Sequence, residues 1–396
     1  MSTSTKSGDS RSFYADWDAL LTPREVELVQ RAKSFCASEL VPFAERAHHT
    51  GEVLPKQLIQ AWAALGLQGL QTPQDLGGQG ASYLAKIRVV QVLSRFAFAA
   101  AFSLNNSHSM VHMVATQTSD RLRNLYLGDL LSGKLVACIA LTEHTGGSDL
   151  AATRTLAKKV DGGWLINGEK AWITNATIAD LAVVGAQTAT GTAGIGRFLV
   201  SLSASGVDRL GAHPVDAGSA SGVGGLRFSD VFVPDDHLLE APGEGFKRSM
   251  AAINGARVHV AAMAAACLER ALEVAVAYTL TRTAFGHPLM DHQGLRWRLV
   301  DVANELDAAN ALVLRAAQLI NAGENAELAA AHAKKFATSR AISGIEHCMQ
   351  SMGANGLLRT HGLQRQLAEV KMASYADGTT EILNERIGSH LRRRYS

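Results

Sequence analysis

Cysteine is scarce in this 396-residue chain, and the four present (Cys36, Cys138, Cys267 and Cys348) lie far apart with no Cys-x-x-Cys spacing. That excludes a disulfide framework and a cysteine zinc site, and it predicts reduced core thiols in a cytoplasmic protein. Charge is sparse too: only 19% of residues are charged and the formal net charge is +2, so no basic field for a nucleic acid is expected. The one cationic run, Arg392-Arg393-Arg394, reads as a solvated helix end. The most apolar stretch, Val258 to Leu280, is interrupted by Glu269, Arg270 and Glu273, which makes it a poor membrane helix and a good buried one. The Ser/Thr-rich start, residues 1–12, lacks the apolar centre of a signal peptide and reads as a disordered tail. No Gly-rich phosphate loop follows a strand, which argues against NAD as primary acceptor. His108 and His112 have the spacing of a metal-binding helix face but no third ligand nearby, so no metal is expected.

What is present is length and apolar residues enough for two or three domains. Over 1–134 apolar residues recur at helical steps, as in Leu28, Ala32, Phe35 and Leu40, then Leu58, Trp62 and Leu65. Thr22-Pro23-Arg24-Glu25 is a helix start, with a capping Thr, Pro at the first position and Glu at the third. Gly77-Gly78-Gln79-Gly80 separates helices. Over 135–240 short β-branched runs alternate with Gly, Ser, Thr and Asp, which predicts a small antiparallel β domain. Within it, Asn167-Gly168 between Trp164-Leu165-Ile166 and Ala171-Trp172-Ile173 predicts a type I′ hairpin turn. Over 241–396 the stretches 256–281, 293–322 and 326–352 are Ala/Leu-rich and nearly free of breakers, which predicts an antiparallel helical bundle.

The densest cluster of chemistry-bearing residues is Thr142-Glu143-His144-Thr145-Gly146-Gly147-Ser148-Asp149. Consecutive small residues let backbone N–H groups converge on an anion or ring edge. Four further motifs follow: Asn167 to Asn175; Arg282-x-x-Phe285-Gly286-x-x-Leu289-x-x-x-Gln293; Gly353-Ala354-Asn355-Gly356; and Tyr375-Ala376-Asp377-Gly378-Thr379-Thr380-Glu381.

In this order and spacing the motifs resemble those of the acyl-CoA dehydrogenase family over nearly the whole chain. The resemblance implies an N-terminal helical domain, a middle β-barrel-like domain and a C-terminal four-helix bundle. It implies FAD as cofactor, with Thr142, Gly147 and Ser148 of the loop and Trp172, Ile173 and Thr174 of the strand as binding residues. It also implies that Arg282, Phe285 and Gln293 complete the FAD site of a neighbouring subunit, with Gln350 and Gly353 on the same adenosine side and Thr379 and Glu381 as further contacts. A shared site implies a homo-oligomer, tetramer or dimer. Asn105, Asn254, Arg257 and Gly378 are implied on the substrate side. Glu143 and Glu381 take motif positions that face the cofactor. Ala354 replaces a common Gly, and His144-Thr145 replaces a common Pro-Gly.

The activity implied is α,β-dehydrogenation of an acyl thioester carried by CoA or an acyl-carrier protein, with an electron-transfer flavoprotein or O₂ as acceptor. The base differs from the usual one: Asp377 stands where most relatives have Glu, and the alternative helix position is Ala256. Asp is one methylene shorter, and a displacement of ~1 Å can cost ~10²-fold in rate. Three readings stay open: Asp377 as α-proton base, nitroalkane-oxidase-like chemistry on a more acidic carbon, or a catalytically weak flavin- or thioester-binding relative. The polar stretch Asn105-Asn106-Ser107-His108 suggests a short, branched or oxygenated acyl group, or else satisfies helix backbone outside the pocket.

Overall fold

The computed structural model describes residues 15–189 and 194–396; the expected N-terminal tail, 1–12, lies outside them. Helices come first: α1 (Ala15–Asp18), α2 (Pro23–Phe35), α3 (Val41–Thr50), α4 (Lys56–Ala64), α5 (Tyr83–Gln117) and α6 (Asp120–Leu131). Thr22 caps α2 as a full capping box with Glu25, and Pro23 opens the helix, as its sequence predicts. A π-turn, Cys36–Leu40, joins α2 to α3.

Helix α5 is two antiparallel arms. By length and composition it could cross a membrane, but Ala97 leaves the helical region (φ −146°, ψ 64°). A straight rod would hold residues 86 and 109 roughly 35 Å apart. Instead the Lys86 ammonium donates to Ser109 Oγ at 2.9 Å, so the chain folds back on itself. A break exposes carbonyls at one end and N–H groups at the other. The helix Leu363–Ala373 serves both. Arg365 donates to Phe96 O at 2.9 Å, Gln366 donates to Arg95 O at 2.8 Å, and the Glu369 carboxylate accepts from the backbone of Ala99 and Phe98.

The middle segment contributes β1 (Ala137–Ala140), β2 (Leu156–Val160), β3 (Gly163–Ile173), β4 (Leu181–Gln187), β5 (Ile195–Ser201), β6 (Val207–Ala212), β7 (Gly224–Pro234) and β8 (Leu238–Glu240). Their order is β6-β7-β3-β2-β4-β5-β8, with β1 also beside β4. The sheet is not purely antiparallel, because β1 and β2 both pair β4 in parallel. β4 is buried along its whole length, which the run from Leu181 to Ala186, free of polar side chains, suits. The Asn167-Gly168 turn is a second correction. Strand β3 runs straight through these residues, with a register irregularity against β7 between Ile166 and Gly168. Asn167 is diverted from turn formation because its amide exchanges hydrogen bonds with Asp230, at 2.8 and 2.9 Å. Gly168, at φ 147°, accommodates Thr155, whose Cα would sit 2.7 Å from any Cβ there.

The last segment holds α7 (Glu244–Thr281), a short hairpin of β9 (Thr283–Ala284) and β10 (His287–Pro288), α8 (Gln293–Asn321), α9 (Glu327–Met352), α10 (Leu363–Ala373) and α11 (Thr380–Tyr395). α7, α8 and α9 pack as the expected antiparallel bundle around Ala-rich faces, and α5 lies against α7. All four cysteines are buried free thiols.

Candidate active site

The end of β3 and the loop after β1 form one unit. Ala171 N donates to Thr142 O at 2.9 Å, and the Lys170 ammonium donates to Leu141 O at 3.1 Å. Beneath the loop, buried Lys170 pairs with buried Glu143 at 2.8 Å. Glu143 also accepts from the Thr153 hydroxyl, Arg154 N, and the backbone and hydroxyl of Thr155. Burial alone would raise this carboxyl, but Lys170 and Thr155 hold it down at about 2. Glu143 is therefore an internal strut turned into the domain, contrary to the cofactor-facing role its motif position implies.

Above the strut the surface is set out for a flat ring. Trp172 adopts the left-handed conformation at φ 60° and its indole is 56% exposed. A bulky residue at that φ is strained by about 1–3 kcal/mol. Thr142 and Thr174 are half-buried, with hydroxyls available beside it, while Gly147 and Ser148 are exposed. Ile173 points into the core, 2% exposed, so only its backbone could touch a ligand. His213 was not foreseen: its ring lies 4.4 Å from Trp172, and its Nε2 accepts from Trp172 N at 3.3 Å. It stands on a loop of no recognisable pattern, so nothing in the sequence pointed to it. An indole face in solvent, flanking hydroxyls and a small-residue loop fit an isoalloxazine with its phosphates.

A second group forms at the start of the bundle. Asp377 is half-buried at φ 55°, another strained non-glycine position. Three successive carbonyls hold its peptide. The Lys334 ammonium donates to those of Ala376 and Gly378, and Arg257 Nε donates to Asp377 O at 3.1 Å. Arg257 also donates to Asn254 Oδ1 at 2.9 Å. Burial raises the Asp377 carboxyl above the ordinary aspartate range, against the opposing pull of Lys334, Arg257 and Lys86. Gly378 (φ 98°) follows, and a Cβ there would meet the Arg257 guanidinium at 3.3 Å. Thr379 caps α11, and Glu381 in its first turn is exposed. Asn254, Arg257, Asp377 and Gly378 are thus brought together, and buried Asn105 lies on the second arm of α5, its carbonyl accepting from Ser109 at 2.7 Å. Lys334 was missed. Its signal was a lysine on the helix face that carries buried Ala330, Ala333 and Ala337.

Arg282, Phe285 and Gln293 are placed elsewhere. From Arg257 to Arg282 is 25 residues of helix, roughly 38 Å. At that far end Phe285 is 95% exposed at φ 55°, and Arg282 and Gln293 are also exposed. The end of α9 joins them there, with Asn355 donating to the Tyr278 hydroxyl at 2.8 Å. Gln350 and Gly353 sit on that end, both exposed, Gly353 at φ 58°.

Family models described as acyl-CoA dehydrogenase N-terminal, middle and C-terminal domains match residues 22–134, 138–231 and 243–392 in that order. An acyl-CoA dehydrogenase of Bacillus subtilis is 33% identical, the match covering 94% of this chain and 98% of that one. The solved butyryl-CoA dehydrogenase of Megasphaera elsdenii superposes with a TM-score of 0.89 at 28% identity, over 94% of this chain and 98% of that one. A structure described as PigA with FAD and proline also superposes, with a TM-score of 0.89, 26% identity, and coverage of 94% and 99%. With three domain matches in order and a relative 33% identical over nearly the whole of both chains, this chain belongs to the acyl-CoA dehydrogenase family, FAD-dependent oxidoreductases that act on CH–CH bonds.

Proposed function

We propose that this enzyme dehydrogenates a short, branched or polar acyl thioester, with Asp377 taking the α-proton. The observation that carries this is the grip on three successive carbonyls, which fixes one strained carboxylate beside Arg257. A carboxyl raised by burial is a stronger base than a free aspartate, and a fixed peptide offsets the shorter side chain. When bound, FAD supplies the two-electron acceptor for the β-hydrogen. Trp172, Thr142, Thr174, the backbone of Ile173, and Gly147 with Ser148 would hold its ring and phosphates. Thr379 and Glu381 would line its edge. Arg257, Asn254, Gly378 and Asn105 would border the thioester.

Because Arg282 lies roughly 38 Å of helix from Arg257, its group, with Phe285, Gln293, Gln350 and Gly353, would serve the flavin of another subunit in a homotetramer or dimer. The test is anaerobic titration of the purified yellow protein with a panel of acyl-CoA and acyl-pantetheine thioesters. Bleaching of the flavin is expected, followed by reoxidation with electron-transfer flavoprotein. Bleaching by small nitroalkanes with O₂ consumption, and none by thioesters, would overturn the reading.

A further inference from the structure

Between the two arms of α5 and the start of α7 lies a buried lysine that the proposed chemistry does not use. Lys86 is 6% exposed. Its ammonium donates to Ser109 Oγ at 2.9 Å and lies 5.6 Å from the centre of the Tyr83 ring, whose hydroxyl in turn donates to Gly255 O at 2.7 Å, two residues before Arg257. Among the described residues no carboxylate lies within ion-pair distance of Lys86, although Asp377 is within electrostatic reach. The other titratable groups acting with it are His108, His112 and His259. An imidazole is never a counter-charge to an ammonium, and burial and the Lys86 charge hold all three below their ordinary range.

The polar atoms buried without a partner in this region include Asn105 Oδ1, His112 Nδ1 and His259 Nδ1. A buried cation with one neutral hydroxyl partner is costly, and unpaired donors and acceptors beside it add to the cost. Burial draws the Lys86 ammonium down to about 8, with the Asp377 charge opposing the fall. An apolar side chain would fill the same place without penalty, so the charge needs a reason.

We propose that Lys86 forms the far wall of the acyl site and pairs with an anionic, carboxylate-type terminus on the acyl group. The inference rests on the reading of Asp377 as base: with the α-carbon at Asp377, the remainder of a short acyl chain runs toward the α5 hairpin, where Lys86 waits beside Ser109. The same charge rejects acyl groups that end in an ammonium.

The test uses the FAD-loaded full-length protein, wild type and Lys86→Met. Succinyl, glutaryl and adipoyl thioesters of CoA and of pantetheine are compared with butyryl and hexanoyl thioesters, by equilibrium binding and anaerobic bleaching. In the wild type, one ω-carboxyacyl thioester should bind at least about 10-fold tighter than its apolar counterpart. Lys86→Met should weaken that binding roughly 100-fold, leave butyryl binding within a few-fold, and melt no lower, because it removes a buried charge with no ion-pair partner. Preference of the wild type for apolar chains, or an unchanged preference in Lys86→Met with a lower Tm, would overturn the proposal and make Lys86 a packing residue. Lys86-dependent binding without bleaching would sink the Asp377 reading and leave this subsite standing. If no thioester binds, both fall.

Discussion

Replacing Lys334 separates positioning of the base from stability of the fold. Lys334 is fully buried, and its ammonium meets the carbonyls on either side of Asp377. Lys334→Met keeps the volume and removes both hydrogen bonds. Hydrogen bonds to a charged group contribute about 1.5–3 kcal/mol each, so about 3–6 kcal/mol is lost. Against this, burial has drawn the Lys334 ammonium from 10.5 to about 8, with the Asp377 charge opposing. That corresponds to about 3 kcal/mol of desolvation and of repulsion from Arg257, net of the Asp377 attraction, relieved by the substitution. The net change in stability is therefore about 0–3 kcal/mol, a modest fall in Tm. The rate should change far more, because nothing but Arg257 then holds a strained Asp377 in the left-handed conformation, and a shift of ~1 Å costs ~10²-fold. Single-turnover bleaching under anaerobic conditions reads the rate, visible absorbance reads flavin content, and circular dichroism reads Tm. Bleaching within threefold of wild type, at unchanged flavin content, would refute the argument that this grip positions the base.

Three other perturbations act on the remaining parts of the site. Trp172→Gly relieves a φ of 60° and removes the indole, so the apo-protein should melt at or above the wild-type temperature while FAD affinity drops at least about 10-fold by fluorescence titration. Arg282→Ala should lower FAD retention far more than it lowers the Tm of the apo-protein, and light scattering should show an oligomer; a monomer holding FAD tightly would contradict the shared site. The Glu143 carboxyl lies below its ordinary range, at about 2. Its contribution, up to about 3 kcal/mol, is present above about pH 4.5 and lost as pH falls toward 2; Glu143→Gln should flatten that part of the acid-denaturation curve.

The helical start and bundle were legible because Thr22-Pro23-Arg24-Glu25 and the Ala/Leu periodicity act locally. The Asn167-Gly168 reading failed for a non-local reason: Asp230, 63 residues away, supplies the hydrogen bonds that keep Asn167 in a strand. The fold-back at Ala97 was invisible because an alanine carries no breaker signal; its support comes from Arg365, Gln366 and Glu369, far along the chain. Glu143 misled because motif position does not tell which way a side chain turns, and Lys170 turns it inward. Asp377 was singled out by its motif, but Lys334 and Lys86, which surround it, come from other helices and have no motif of their own.

The central claim, that Asp377 removes the α-proton, is tested most directly by Asp377→Asn in anaerobic bleaching with the best thioester substrate. The amide keeps shape but cannot accept the proton, so FAD content and substrate binding should stay within a few-fold while bleaching slows ~10²–10⁴-fold. In the wild type the rate should rise with pH through a midpoint above 3.8, because the carboxyl is raised and only its ionised form acts. Loss of that limb in Asp377→Asn completes the prediction. Wild-type rates of bleaching in Asp377→Asn would contradict the account and move the base to another residue.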